Sequence, residues 1–157
     1  MKIKLLVIGK TDEKYLQTGL DIFCKRILHY ISLEIKMIPD LKNTRNLTED
    51  QQKEKEGELI LRQLTGGDDL ILLDEKGQQE SSAGFARFLE KKMLAGTKQL
   101  VFVIGGPYGF STKVYEKAVQ KISLSAMTFS HQMVRLIFME QLYRAFTIIK
   151  GEPYHHE

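Results

Sequence analysis

Strand-length runs of Leu, Ile and Val alternate with helix-length segments along the chain, and that alternation restricts it to an α/β fold with a mainly parallel sheet. The runs fall at residues 3–8, 33–38, 70–74, 100–104 and, more briefly, 122–125. They are almost continuously apolar, as strands covered by helices on both faces should be. Between them the helix signals are local. Thr48 opens TEDQ, a capping box with Gln51, and the helix runs to about residue 64 before Gly66 and Gly67. Ser81 or Ser82 caps the next helix, which ends near Gly96, and Ser111 caps a short one.

The loop at 39–47 lacks apolar periodicity and is too short to divide the chain, so residues 1–157 are expected to form one domain. A chain of this length buries about 70% of its unfolded surface, enough for a core without metal or disulfide. The last helix, about 131–150, reads HQMVRLIFMEQLYRAFTIIK and is apolar around most of its circumference. Such a helix must be covered on several sides. One chain's sheet covers only one side, so the remaining apolar surface is expected to lie in a subunit interface, with central packing within one chain as the competing reading.

Several function classes drop out. Nowhere do about 18 apolar residues run together, which argues against a membrane span, and MKIKLLVIGK reads as a strand without a cleavage site. The lone Cys24 has no bridging partner, which points to a reducing cytosol. The net charge of +3 suits a polyanionic partner but is far weaker than in a DNA-coating protein. The charged run EDQQKEKEGE, with Lys53 and Lys55, reads as a solvated helix face.

Nucleotide motifs fail on spacing. Gly9, Lys10 and Thr11 mimic the end of a phosphate loop, but Lys4 stands where that loop needs glycine. Gly105, Gly106 and Gly109 in VFVIGGPYGF form G-G-x-x-G, not the dinucleotide fingerprint. A glycine pair ending a buried strand still admits two readings: close approach of a ligand to the backbone, or a tight turn needing positive φ. Strand ends at LLDEKG and SLSAMTFS could join it in one pocket outside the carboxyl ends of the sheet. Asp74 and Glu75 point opposite ways if extended, a poor acid/base pair. The histidines 29, 131, 155 and 156 lack metal-site spacing, so no metal is expected. No G-x-S-x-G elbow occurs. Arg135, Arg144, Tyr154, His155 and His156 remain as polar groups able to meet an anionic substrate. His131, at the start of the last helix, either is exposed or faces the pocket.

The segments KIKLLVIGK, VFVIGGPYGF and LSAMTFSHQMVRLIFMEQLYRAFTIIKGEPYHHE closely resemble the large-subunit ribosomal RNA methyltransferase H family of the SPOUT superfamily. The resemblance implies an α/β domain with a trefoil knot in its C-terminal half. It implies a cytoplasmic homodimer whose active site is shared between subunits. The family methylates N3 of a pseudouridine in helix 69 of 23S ribosomal RNA on assembled ribosomes, with S-adenosyl-L-methionine as donor. By position, Leu73, Gly105, Leu124, Ser125, Ala126, Met127, Thr128 and Phe129 should line the cofactor site. Ser130 stands where the family often has proline. His131 and Arg144 are then expected near the reacting base, with Tyr154 and His155 positioning it. Two rivals are a ribosome-binding module without methyl transfer and a nucleotide-binding regulator of flavodoxin-like topology, separable by whether the protein binds S-adenosylmethionine.

Overall fold

The computed structural model describes residues 1–156. Strands β1 (Lys2–Ile8), β2 (Ser32–Ile38), β3 (Asp68–Gln79), β4 (Gln99–Ile104) and β5 (Gln120–Ser123) form one sheet in the order β2-β1-β4-β3-β5. Every pairing is parallel. Helices α1 (Lys14–Ile27), α2 (Glu49–Leu61), α3 (Ser82–Leu94), α4 (Thr112–Lys117) and α5 (Met133–Lys150) connect the strands and close the chain.

Alternation within β1 explains the unbroken apolar runs. Ile3, Leu5 and Val7 meet Leu20, Phe85 and Phe138 from α1, α3 and α5 on one face. Leu6 and Ile8 meet Ile60 of α2 and Val114 of α4 on the other. Both side-chain sets of a doubly covered strand are therefore apolar.

The all-round apolar α5 has mostly an internal explanation. It packs on the sheet and between α1 and α3, burying Phe138, Met139, Leu142, Ala145 and Phe146. The approach of α1 is close: a Cβ at Gly19 would lie 2.8 Å from Leu136. Central packing thus accounts for most of the circumference, with Leu136, Tyr143, Ile148 and Ile149 left partly covered.

Local signals meet the backbone where expected. Thr48 and Gln51 form the reciprocal capping box, Ser81 caps α3, and Gly151 ends α5 at φ 68°. The 39–47 loop contains a 3-10 turn at Thr44–Asn46.

The largest departure is β3, which continues to Gln79 instead of stopping at 74. Its pairing with β5 lapses after Leu73 and resumes at Gln78, and Gly77 fits so closely that a Cβ would lie 2.7 Å from Ile122 N. β5 also ends two residues early, at Ser123, so that Leu124 turns off the sheet. Both irregularities fall at the rim where ligands of parallel sheets bind. Among the described residues no helix is long and apolar enough to cross a membrane.

Candidate functional site

Because all strands run the same way, their carboxyl ends share a rim, and β3, β4 and β5 open there into a cavity of about 300 Å³. Leu73, Asp74 and Glu75 form its β3 side, and Ile104 to Gly106, Pro107, Gly109 and Phe110 its β4 side. From β5 onward come Ile122 to Ser125, Met127, Thr128 and Phe129, with His131 and Val134 closing the wall. Seven expected cofactor residues therefore converge: Leu73, Gly105, Leu124, Ser125, Met127, Thr128 and Phe129. Ala126 is exposed and outside the wall. Sequence reasoning flagged Gly106 only as half of the glycine pair and missed Pro107 and Phe110, whose only signal was adjacency to that pair.

Hydrogen bonds fix the 123–130 loop. Ser123 Oγ donates to Ser125 O at 2.9 Å, and Ser125 Oγ accepts from Met127 N at 2.9 Å. Ser130 Oγ accepts from Met133 N at 3.1 Å, so this residue secures the entry to α5 by a capping bond that proline could not make. Met127 nevertheless stands 76% exposed at the mouth.

The glycine pair is explained by packing from behind. A Cβ at Gly105 would lie 2.9 Å from the Phe110 ring, and one at Gly106 would lie 2.6 Å from Glu56 Oε2. Positive φ occurs only later, at Gly109. The backbone thus faces the cavity with side chains already filling the space beneath it.

Asp74 is engaged on both oxygens. Tyr115 Oη donates to Oδ2 at 2.5 Å and Lys76 N to Oδ1 at 2.9 Å. Burial and then that bond push the Tyr115 phenol up to about 12. Asp74 therefore serves as an anchor for the wall.

Arg135 differs from its reading as a substrate contact. It is 1% exposed and points inward, donating to Ile8 O at 2.7 Å, Thr11 Oγ1 at 3.0 Å and His131 O at 3.2 Å. Burial lowers its pKa against the opposing pull of Asp12 and Asp40. Gln132 adds bonds to Asp12 N and Lys10 O, so the end of β1 is tied to the backbone that carries His131.

The other expected catalytic residues gather elsewhere. Glu140 Oε1 accepts from Arg144 Nε at 3.1 Å and Nη2 at 2.6 Å, and from Tyr154 Oη at 3.1 Å. Arg144 also lies 4.9 Å from the Tyr154 ring centroid and 3.2 Å from His155 Nδ1. Burial and then the Glu140 bond push the Tyr154 phenol up. None of Arg144, Tyr154 and His155 lines the cavity that His131 lines. Among the described residues no group of three His, Cys, Asp or Glu side chains could hold a metal ion.

A parallel sheet with a glycine-floored cavity outside its carboxyl ends defines a small-molecule-binding α/β protein. Residues 1–155 match the family model described as predicted SPOUT methyltransferase, and the chain belongs to that family of methyltransferases. Among curated proteins it is 63% identical, over 100% of both chains, to the ribosomal RNA large subunit methyltransferase H of Flavobacterium johnsoniae. Proteins of that name from Parabacteroides distasonis and Bacteroides fragilis are 61% and 57% identical, again over the full length of both chains.

Proposed function

We propose that this chain, as a single domain, methylates N3 of a pseudouridine in helix 69 of 23S ribosomal RNA, within assembled cytoplasmic ribosomes. The supporting observation is the convergence of the 105–110 turn and the 123–129 loop on one cavity with His131 in its wall. At about 300 Å³ that cavity lies at the lower end of small-molecule sites, and its apolar walls with exposed backbone suit S-adenosyl-L-methionine. Leu73, Leu124, Met127 and Phe129 would pack around the adenine and methionine portions, while backbone near Gly105 bonds polar edges. Bound there, the donor supplies an electrophilic methyl group on sulfur.

The protein's remaining task is to orient the base and dispose of its N3 proton, which must leave as nitrogen takes the methyl group. His131 meets the base from the cavity wall. Arg144 favours the deprotonated imide through its positive charge, and Tyr154 and His155 position the base. His131 and Arg144 are 13 residues apart along the lead-in and body of α5, so about 20 Å separates their backbones at 1.5 Å per residue. Two copies placing the Arg144 cluster of one beside the His131 wall of the other would complete the site, and the chain acts as a homodimer. The trefoil threading of its C-terminal half belongs to the same reading, supported by the 123–129 loop and the turn after β4 walling one cavity.

The test is incubation with tritiated S-adenosylmethionine and ribosomes from a strain lacking the modification, followed by mapping of the label. Label at the helix 69 pseudouridine is expected, and label elsewhere refutes the substrate. A protein that binds ribosomes but neither binds nor consumes the donor would be the silent RNA-binding module.

A further inference from the structure

Glu56 lies in the charged segment of α2, yet it is only 4% exposed while Glu54, Lys55 and Glu58 around it face solvent. Its carboxyl sits behind the turn that follows β4. A Cβ on Gly106 would come within 2.6 Å of Oε2 and 2.8 Å of Oε1. The next residue, Gly57, packs with equal closeness against Ser111, the cap of α4. Two successive residues of α2 thus grip both ends of the 106–111 segment, and Gly106 itself lines the cavity.

A carboxyl is a costly choice for this place. Glu56 Oε1 has no hydrogen-bond partner among the described residues, and an apolar side chain of similar volume would avoid that penalty. Burial, and secondly the charge of Asp40, raise its pKa, while Gln52 on the same helix opposes this. Arg135 of α5 reaches this neighbourhood through Asp40. Filling space alone would be served by an apolar side chain, whereas the planar carboxyl stands so close behind Gly106 that its position sets how far the turn can settle towards α2.

We propose that Glu56 is a positioning residue of the cavity: its carboxyl props the Gly106 turn from behind and fixes where the turn's backbone meets the methyl donor. The proposal rests on the reading of the cavity as the donor site. It makes no contact with the donor itself, so it should act on donor binding far more than on turnover.

The test uses the intact protein, with S-adenosylmethionine titrated by calorimetry and KM and kcat measured on ribosomes. Glu56→Ala should weaken donor affinity about ten-fold and raise KM, with kcat at saturating donor within about two-fold. Glu56→Gln, which keeps shape and polarity, should restore affinity to within about two-fold of the parent. Gly106→Ala should weaken affinity about ten-fold alone and clearly less in the Glu56→Ala background, where the new methyl has room. A folded Glu56→Ala that binds the donor as tightly as the parent overturns the proposal, as does Glu56→Gln binding as weakly as Glu56→Ala. If Glu56→Ala does not fold, undiminished binding by Gly106→Ala overturns it and rescue by Glu56→Gln upholds it. A parent protein that binds no donor would instead refute the donor site, and this proposal with it.

Discussion

At the beginning of α5 the chain offers a cavity walled by apolar side chains, glycines and a few small polar residues, with His131 the ionisable group that α5's lead-in contributes. At the other end, Glu140, Arg144, Tyr154 and His155 interlock through side chains alone. The first region is shaped to hold something, and its hydrogen bonds serve to fix a loop. The second is shaped around a cation, since a single oxygen, Glu140 Oε1, accepts from both Nε and Nη2 of Arg144 and so orients its guanidinium. Under the proposed function, a methyl transfer to an imide nitrogen would draw on one of each. The difference teaches that within one chain a ligand-sized cavity and a part-buried cation cluster are built at separate places.

The sharpest way to break this division is Gly105→Val. The Phe110 ring leaves no room for even a Cβ, so the branched side chain must displace the turn or fill the cavity. Donor binding by calorimetry and methyl transfer to ribosomes should both fall below detection. Unchanged donor binding would show that the cavity is not the donor site.

Arg144→Ala attacks the other half. It removes the cation and leaves Glu140 without its main partner, and loss of such a charge-stabilising group lowers kcat by about 100-fold or more. Donor affinity should stay within about two-fold. Mixing Gly105→Val with Arg144→Ala is more informative still. If a symmetric dimer shares its sites, half of the randomly paired dimers carry one intact site, and about a quarter of parental activity returns. No recovery on mixing would place the whole site within one chain.

Much of this was legible in the sequence, and the gaps have physical causes. Every strand could be read because both faces of the sheet are covered, which leaves few polar residues to blur the runs. The candidate cofactor residues could be named only through family resemblance, since Leu124 and Phe129 look like any core residues until Leu124 leaves the sheet after Ser123. Arg135 was misplaced because a cation on an apolar helix suggests an exposed contact, whereas three carbonyl and hydroxyl acceptors allow it to be buried. Glu56 was hidden inside a charged run. One clue was present: Gly57 in mid-helix costs about 1 kcal/mol relative to alanine, a sign that something packs closely there.

Glu56 yields a smaller, thermodynamic test of the cavity side. A raised carboxyl pKa means that the native state holds a proton the unfolded chain gives up more easily. Stability from this group is present below the ordinary carboxylate range and is lost as pH rises through the raised value. Glu56→Gln cannot ionise, so its melting temperature should match the parent at acid pH and exceed it by about 2–4 °C at alkaline pH, as about 1 kcal/mol does in a chain of this size. Parallel melting curves across pH would show that Glu56 ionises without penalty.

The smallest effect belongs to the tail side. Tyr30, beyond the end of α1, donates to Glu152 Oε2 at 2.6 Å and stacks on Phe146 at 5.8 Å, tying the start of the tail to the helix layer. Removing the hydroxyl in Tyr30→Phe keeps the stack and loses one bond, a cost of about 0.5–1.5 kcal/mol, at the lower end for a solvent-accessible pair. The bond to Glu152, and secondly burial, push the Tyr30 phenol up to about 12. Its folded pKa is raised, so the bond's contribution is full below about pH 10 and vanishes as pH passes about 12. The stability gap between parent and variant in urea unfolding should therefore hold steady from pH 7 to 9 and close towards pH 12. If the tail is docked chiefly by this bond, Tyr30→Phe should also lower kcat slightly while leaving donor affinity untouched. A fall in donor affinity instead would mean that the two ends of α5 are coupled, and that cavity and tail answer to one another within a single chain.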